Sequence, residues 1–93
     1  MEEALARRAT RHARARRYRK AAVALSMLAN RTGEPRHYAR LGAMWLAAGR
    51  SIEAILAFRQ ALYRHRRAGA DARAQTVARI IARVEPGHTR AAA

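Results

Sequence analysis

Larger apolar residues recur at helical spacing along most of this chain. Tyr38, Leu41 and Trp45 occupy positions i, i+3 and i+7, which places them on one face of a helix. Three more stripes follow the same period: Tyr18, Ala21, Val23, Leu25 and Leu28; Ile52, Ile55 or Leu56, Phe58 and Leu62; and Val77, Ile80, Ile81 and Val84. No segment alternates Val, Ile or Thr with polar residues. The sequence therefore predicts an all-α fold without strands.

Short breaks separate these stripes. Gly33 suits the C-terminal end of one helix, and Pro35 suits the first turn of the next. Further breaks come near Gly49 and Gly69, where Ser51 and Asp71 are the candidate N-caps of the helices that follow, and the last comes at Pro86-Gly87.

The N-terminal third allows two arrangements of helices. Residues 2–14 favour a helix by composition, but Leu5 is their only large apolar residue after Met1. Residues 14–17 contain neither Gly nor Pro, so residues 2–30 form either one continuous helix or two. The chain accordingly has four or five helices.

The middle of the chain carries a spaced set of aromatic and small residues. They are Tyr38, Leu41-Gly42, Trp45, Gly49, Ala54, Phe58 and Ala61. With this set, the segment from Pro35 to Leu62 resembles a tetratricopeptide repeat (TPR), a pair of antiparallel helices. The resemblance implies that Gly42 and Ala54 lie where the two helices approach most closely, and that Trp45 and Phe58 fill the space between them. One departure is Arg66, which stands where the family has Pro.

The resemblance also implies an organisation for the whole chain. Residues 35–68 are the strong repeat and residues 1–34 a weak one, in which Arg8-Ala9 replaces Leu-Gly and Arg16 stands at the turn glycine. Residues 70–85 are a capping helix. Together, residues 1–87 are expected to form one helical domain, a short α-solenoid of about two TPR-like units, with a flexible tail at residues 88–93.

In this family the first helix of each repeat lines a concave groove that binds partner proteins. The corresponding positions of the strong repeat are Arg36, Ala39, Ala43, Leu46 and Ala47, with Arg40 beside them. Those of the weak repeat are Glu3, Ala6, Thr10, Ala13 and Arg14. Small walls with arginine at the rim favour an acidic protein segment that carries an apolar anchor. The Asn and Lys of the family's carboxylate clamp are absent from these positions, so we expect no chaperone-tail binding of that kind.

Composition adds a thin core and a strong positive charge. Alanine accounts for 25 of the 47 hydrophobic residues, and the net charge is +14, with 19 of the 20 basic residues being arginine. A GC-rich bacterial genome also favours Ala and Arg codons. The arginine excess is therefore either functional or a matter of genome composition.

The densest charge forms a basic patch near the N-terminus. Its members are Arg7, Arg8, Arg11, Arg14, Arg16, Arg17, Arg19 and Lys20, with no acidic residue among them. Like charges at i, i+4 destabilise a helix, which favours a counter-charged partner. An acidic protein is the first choice and nucleic acid the second; a solvated helix surface is the alternative to both. Self-association through Leu5 and Tyr18 is a further possibility. The cations of residues 64–67, at a helix C-terminus, are instead expected to be structural.

Several function classes are excluded or disfavoured. The chain has no Cys, and its four His residues lack the i, i+3 or i, i+4 spacing of a helical metal site. There is no glycine-rich phosphate loop and no pair of carboxylates for acid–base chemistry. No apolar run is long enough to span a membrane, and no apolar signal core is present. We therefore expect a non-catalytic, cytoplasmic adaptor or chaperone-like protein without cofactor or metal.

Overall fold

A computed structural model describes the backbone of residues 1–92 and the side chains of residues 1–85. Within this range the chain forms five α-helices: α1 (Glu2–Arg14), α2 (Tyr18–Thr32), α3 (Pro35–Ala47), α4 (Ser51–Arg67) and α5 (Asp71–Ala92). No strand is present among residues 1–92. The predicted all-α fold is confirmed, and the N-terminal segment is two helices, not one.

Three of the four turns share one backbone geometry. Between α1 and α2, the Arg17 amide donates to the His12 carbonyl over 2.8 Å; between α3 and α4, the Arg50 amide donates to Trp45 over 2.8 Å. These two turns lie 33 residues apart, and the turn between α4 and α5 repeats the pattern through residues 65–70. In each turn the residue just before the amide donor has a left-handed backbone conformation, with φ of 59° at Arg16 and 78° at Gly49.

The predictions for the helix ends are partly correct. Gly33 closes α2 with φ 68°, and Pro35 begins α3, both as predicted. The N-cap prediction for Ser51 is wrong, because Ser51 is the first residue of α4 and Arg50 occupies the cap position without a side-chain cap. Asp71 likewise begins α5 instead of preceding it, and its carboxylate lies in the first turn. In both turns the residue before the helix, Arg50 or Ala70, donates its backbone amide to a carbonyl of the preceding helix. This hydrogen bond places Arg50 and Ala70, not Ser51 and Asp71, in the position just before the helix.

The last helix is longer than predicted. We expected a capping helix over residues 70–85, a break at Pro86-Gly87 and a flexible tail over residues 88–93, but α5 runs from Asp71 to Ala92. A proline removes one hydrogen bond from a helix and can bend it without ending it. Of the predicted tail, Ala93 lies outside the described residues.

The core is built largely from alanine. Leu25, Leu28 and Phe58 are its most deeply buried large side chains, each at most 2% exposed. Six alanines have no exposed surface at all: Ala9, Ala21, Ala22, Ala29, Ala54 and Ala61. Such small side chains let helix axes approach closely, and extensive packing occurs between consecutive helices. The molecule measures 40 × 31 × 17 Å, so every helix keeps an exposed face.

Some of the predicted core residues face solvent instead. Val23 and Ile52 are each more than half exposed, so their assignment to buried stripes is wrong. Of the two alternatives Ile55 and Leu56, Ile55 is buried and Leu56 is exposed. On α2 and α4, alanines share the buried face with Leu25, Leu28, Ile55 and Phe58, and the exposed residues lie on the other side of each helix. Leu5, which we considered as an exposed contact for self-association, is instead buried in the core at 4% exposed. It is therefore unavailable for such a contact.

Candidate partner-binding surfaces

The outer face of α1 carries an open depression. It is lined by Ala6, Arg7, Thr10, Arg11 and Arg14. Three of these residues, Ala6, Thr10 and Arg14, are groove positions predicted from the weak repeat. Because they are spaced at i, i+4 and i+8, one helix face brings them together.

A second depression joins α1 to α3. Its lining consists of Glu2, Glu3, Ala6, Leu28, Thr32, Glu34, Arg36 and His37. The structure thus brings the predicted groove residues Glu3, Ala6 and Arg36 together from two helices. The two depressions adjoin at Ala6, which borders both, and together we call them the α1 groove. One half of the groove is basic, and the other contains three carboxylates.

Glu34 organises the acidic half of the α1 groove. One of its carboxylate oxygens, Oε2, lies 2.8 Å from Nε of Arg36 and 3.0 Å from Nε2 of His37. Burial and the charge of Arg36 lower the pKa of His37, against the opposing effect of Glu34. His37 is therefore mainly neutral at neutral pH, with its Nε2 in close contact with the Glu34 carboxylate. Arg36 is already compensated by this carboxylate and has less charge to offer a partner.

The other predicted groove residues of α3 form an open helix face. Arg40, Ala43, Leu46 and Ala47 are exposed, with Leu46 at 40%, whereas Ala39 is half-buried against the core. None of them lines the two depressions of the α1 groove. The structure therefore places them on a surface of their own, which we call the α3 face.

The predicted basic patch is divided among three surfaces. Arg7, Arg11 and Arg14 border the α1 groove. Arg8 lies with His12, Val23 and Met27 in a depression formed by α1 and α2. Arg16, Arg17 and Arg19 line a depression at the turn between α1 and α2, and Lys20 borders both of these last two.

Hardly any of this charge is neutralised by the chain itself. Among the described side chains, Arg7 is the only member of the basic patch with an ion pair, to Glu3 at 3.9 Å. Both partners are largely exposed, and such a pair contributes little stability. The patch therefore presents almost its full positive charge to solvent.

Sequence reasoning missed an exposed apolar pair on α2. Val23 and Met27 are 53% and 44% exposed, and they border the same depression between α1 and α2. The available signal was the alanine pattern: Ala22 and Ala29, seven residues apart, mark the buried face, and Val23 and Met27 fall outside it.

Arg64 of α4 contacts α3 and the residue that ends α2. Its guanidinium lies 4.7 Å from the centroid of the Tyr38 ring, and its Nη1 donates to the Gly33 carbonyl over 3.1 Å. His65 beside it is 4% exposed. These two members of the 64–67 cluster are part of the packing. We expected these cations to be structural because they lie at the C-terminal end of a helix. Arg64 has a further structural role, because it contacts residues outside its own helix.

Comparisons with family models, with curated proteins and with solved structures found no match to this chain. The resemblance to tetratricopeptide repeats therefore rests on its own residues. Among the described residues, no helix is sufficiently long and apolar to cross a membrane. The side chains of residues 1–85 bring no three His, Asp or Glu residues together in a metal-binding arrangement.

Proposed function

We propose that this protein is a non-catalytic protein–protein interaction module that binds an acidic segment of a partner along the α1 groove and the α3 face. One observation carries the proposal. Arg11, Arg14 and Arg40 are exposed beside small side chains, and none of them forms an ion pair within the described part of the chain. The proposed role is that of a cytoplasmic adaptor or chaperone-like protein.

The proposal includes a TPR-like architecture, in which α1–α2 and α3–α4 are two repeats and α5 is the cap of a short α-solenoid. The turns that end α1 and α3 support it, since their hydrogen bonds recur 33 residues apart. The same offset relates Leu5 to Tyr38 and Leu25 to Phe58, all of which are buried. With that offset, the α1 groove and the α3 face are equivalent surfaces of consecutive repeats.

The chemistry of the two surfaces suggests how a partner segment is held. Arginine guanidinium groups bind carboxylates through paired hydrogen bonds, which orients the segment and accelerates association. Leu46, with Ala43 and Ala47 beside it, offers the apolar contact that slows dissociation. The three carboxylates in the other half of the α1 groove disfavour a segment that is acidic along its whole length.

A capture experiment with matched variants tests the proposal. The full-length protein is used at about physiological salt, with and without nuclease, and bound proteins are identified by mass spectrometry. We expect a nuclease-resistant partner that is lost with Arg11→Glu/Arg14→Glu and with Leu46→Arg. The control is Arg79→Glu/Arg83→Glu, which makes the same charge change on exposed α5 residues and should leave capture intact.

Two outcomes would contradict the proposal. Loss of all bound material on nuclease treatment would favour the nucleic-acid alternative, whose affinity falls steeply with salt. A partner that is retained by both variants would show that it binds elsewhere on the molecule.

A further inference from the structure

The start of α2 borders a depression that is separate from the α1 groove. It has a volume of about 640 Å³ and opens widely to solvent. Basic and apolar side chains line it together: Arg16, Arg17, Tyr18, Arg19, Lys20, Val23 and Ala48. We call it the turn pocket, because two interhelical turns meet there.

The turn pocket is strongly positive. None of its four basic residues forms an ion pair with the acidic side chains in residues 1–85. The first turn of α2 contains no acidic residue, and no side chain caps its amides, so the positive end of the helix dipole adds to the field. Burial lowers the pKa of the nearby His12, and the charges of Lys20 and Arg17 lower it further.

Arg16 occupies a backbone position that suits glycine. Its φ is 59°, and the matching residues of the other two turns of this geometry are Gly49 and Gly69. A side chain in this conformation costs about 1–2 kcal/mol. Genome composition does not account for the choice, because glycine codons are as GC-rich as those of arginine. The strained position instead places a fourth cation at the rim of the turn pocket.

We propose that the turn pocket binds an oligophosphate, two or more linked phosphate groups attached to an apolar or aromatic moiety. A single carboxylate would neutralise only one of the four cations, whereas linked phosphates carry several negative charges. Each phosphate also accepts paired hydrogen bonds from arginine. Tyr18, Val23 and Ala48 supply the contacts for the attached moiety. This site is independent of the proposed partner segment in the α1 groove.

Isothermal titration calorimetry of the full-length protein tests the proposal. The probes are inorganic tripolyphosphate, a nucleoside triphosphate, orthophosphate and the unphosphorylated nucleoside. We expect saturable one-to-one binding of the first two, and at least tenfold weaker binding of the last two. Arg16→Gly and Lys20→Ala should each weaken tripolyphosphate binding by about tenfold, as expected for a lost hydrogen bond to a charged group.

The control variants separate a site from the general effect of net charge. Arg16→Gly relieves a strained residue, so its effect on binding is not a consequence of misfolding. Arg79→Ala removes the same charge from α5 and should leave the affinity unchanged. Equal weakening by Arg79→Ala and Arg16→Gly, or binding of many tripolyphosphates without saturation, would overturn the proposal.

Two further probes identify the source of the phosphates. Vesicles that contain a polyprenyl diphosphate present linked phosphates as a lipid headgroup, and the nucleoside triphosphate presents them as a soluble ligand. Displacement of a bound probe by tripolyphosphate supports the site. The probe that binds and is displaced shows whether the phosphates come from a lipid headgroup or from a soluble ligand. A single-stranded oligonucleotide that binds more tightly than tripolyphosphate and is not displaced by it would replace the turn pocket with an extended nucleic-acid surface.

Discussion

Gly42 on α3 lies directly against the ring of Phe58 on α4. A Cβ atom at Gly42 would lie 2.7 Å from Cε1 of Phe58, closer than two carbon atoms can approach without repulsion. Phe58 is 2% exposed, so its ring has no room to withdraw. The contact sets how closely α3 and α4 approach each other at Gly42 and Phe58.

Gly42→Ala should therefore destabilise the protein by about 1–3 kcal/mol, although alanine is the better helix former. Chemical denaturation measures the change in the free energy of unfolding. In the double variant Gly42→Ala/Phe58→Leu, the smaller leucine side chain relieves the clash. The double variant should therefore lose less free energy of unfolding than the sum of the losses of the two single variants. Additive costs would mean that the two residues are not in contact.

The strain at Arg16 predicts a stabilising substitution. Arg16→Gly should raise the free energy of unfolding by about 0.5–1 kcal/mol, because relief of the left-handed strain exceeds the added flexibility of the unfolded chain. Arg8→Gly makes the same chemical change in the middle of α1 and should destabilise the protein by about 1 kcal/mol. If both variants lose stability in denaturant titrations, residue 16 is not left-handed in solution.

Arg64 should matter far more for stability than its neighbour Arg66. Arg64→Ala loses the contact with the Tyr38 ring and the hydrogen bond to the Gly33 carbonyl, at a cost of about 1–3 kcal/mol. Arg66 is exposed, and Arg66→Ala should change stability by less than about 0.5 kcal/mol. Thermal denaturation of both variants at matched salt checks this, and equal melting temperatures would show that the Arg64 contacts contribute nothing.

Buried histidine makes the fold sensitive to mild acid. Burial lowers the pKa of His65 below the ordinary value of 6.5, and the charge of Arg73 lowers it further. Since folded His65 binds a proton more weakly than the unfolded chain does, its contribution to stability is complete above pH 6.5. That contribution is lost as the pH falls from 6.5 towards the pKa of the folded state. His37 behaves in the same direction.

His65→Leu should reduce this pH dependence. Denaturant titrations between pH 7.5 and pH 5 give the slope of stability against pH for the parent and the variant (the pH limits bracket the ordinary histidine pKa of about 6.5). An unchanged slope would mean that His65 is solvated in the folded protein and titrates normally.

The helices and their faces differ in how far the sequence predicts them. Period and punctuation were sufficient for the all-α fold and for the Gly33–Pro35 break, because glycine and proline restrict the backbone locally. The α1–α2 turn was left open, since Arg16 adopts there a conformation that nothing in its residue type indicates.

The choice of buried face failed for a different reason. Ranking residues by size placed Val23 and Ile52 inside, but close helix packing also uses small side chains, and Ala22 and Ala54 are buried whereas Val23 and Ile52 are exposed. For the candidate site, helical spacing grouped Ala6, Thr10 and Arg14, and these three residues line one depression. It could not show that Glu34 already engages Arg36, because that depends on how the chain bends between α2 and α3.

The packing of each helix mainly against its chain neighbours has a consequence for folding kinetics. Contacts between consecutive helices join residues that are close in sequence, so little loop entropy opposes their formation, and proteins of this kind fold within microseconds to milliseconds. α1 and α5 each have only one extensive neighbour among the described residues, whereas α3 is held on both sides. Amide hydrogen exchange should accordingly be slowest in the middle helices and become faster towards both ends, with opening that begins at α1 or α5 and spreads inward.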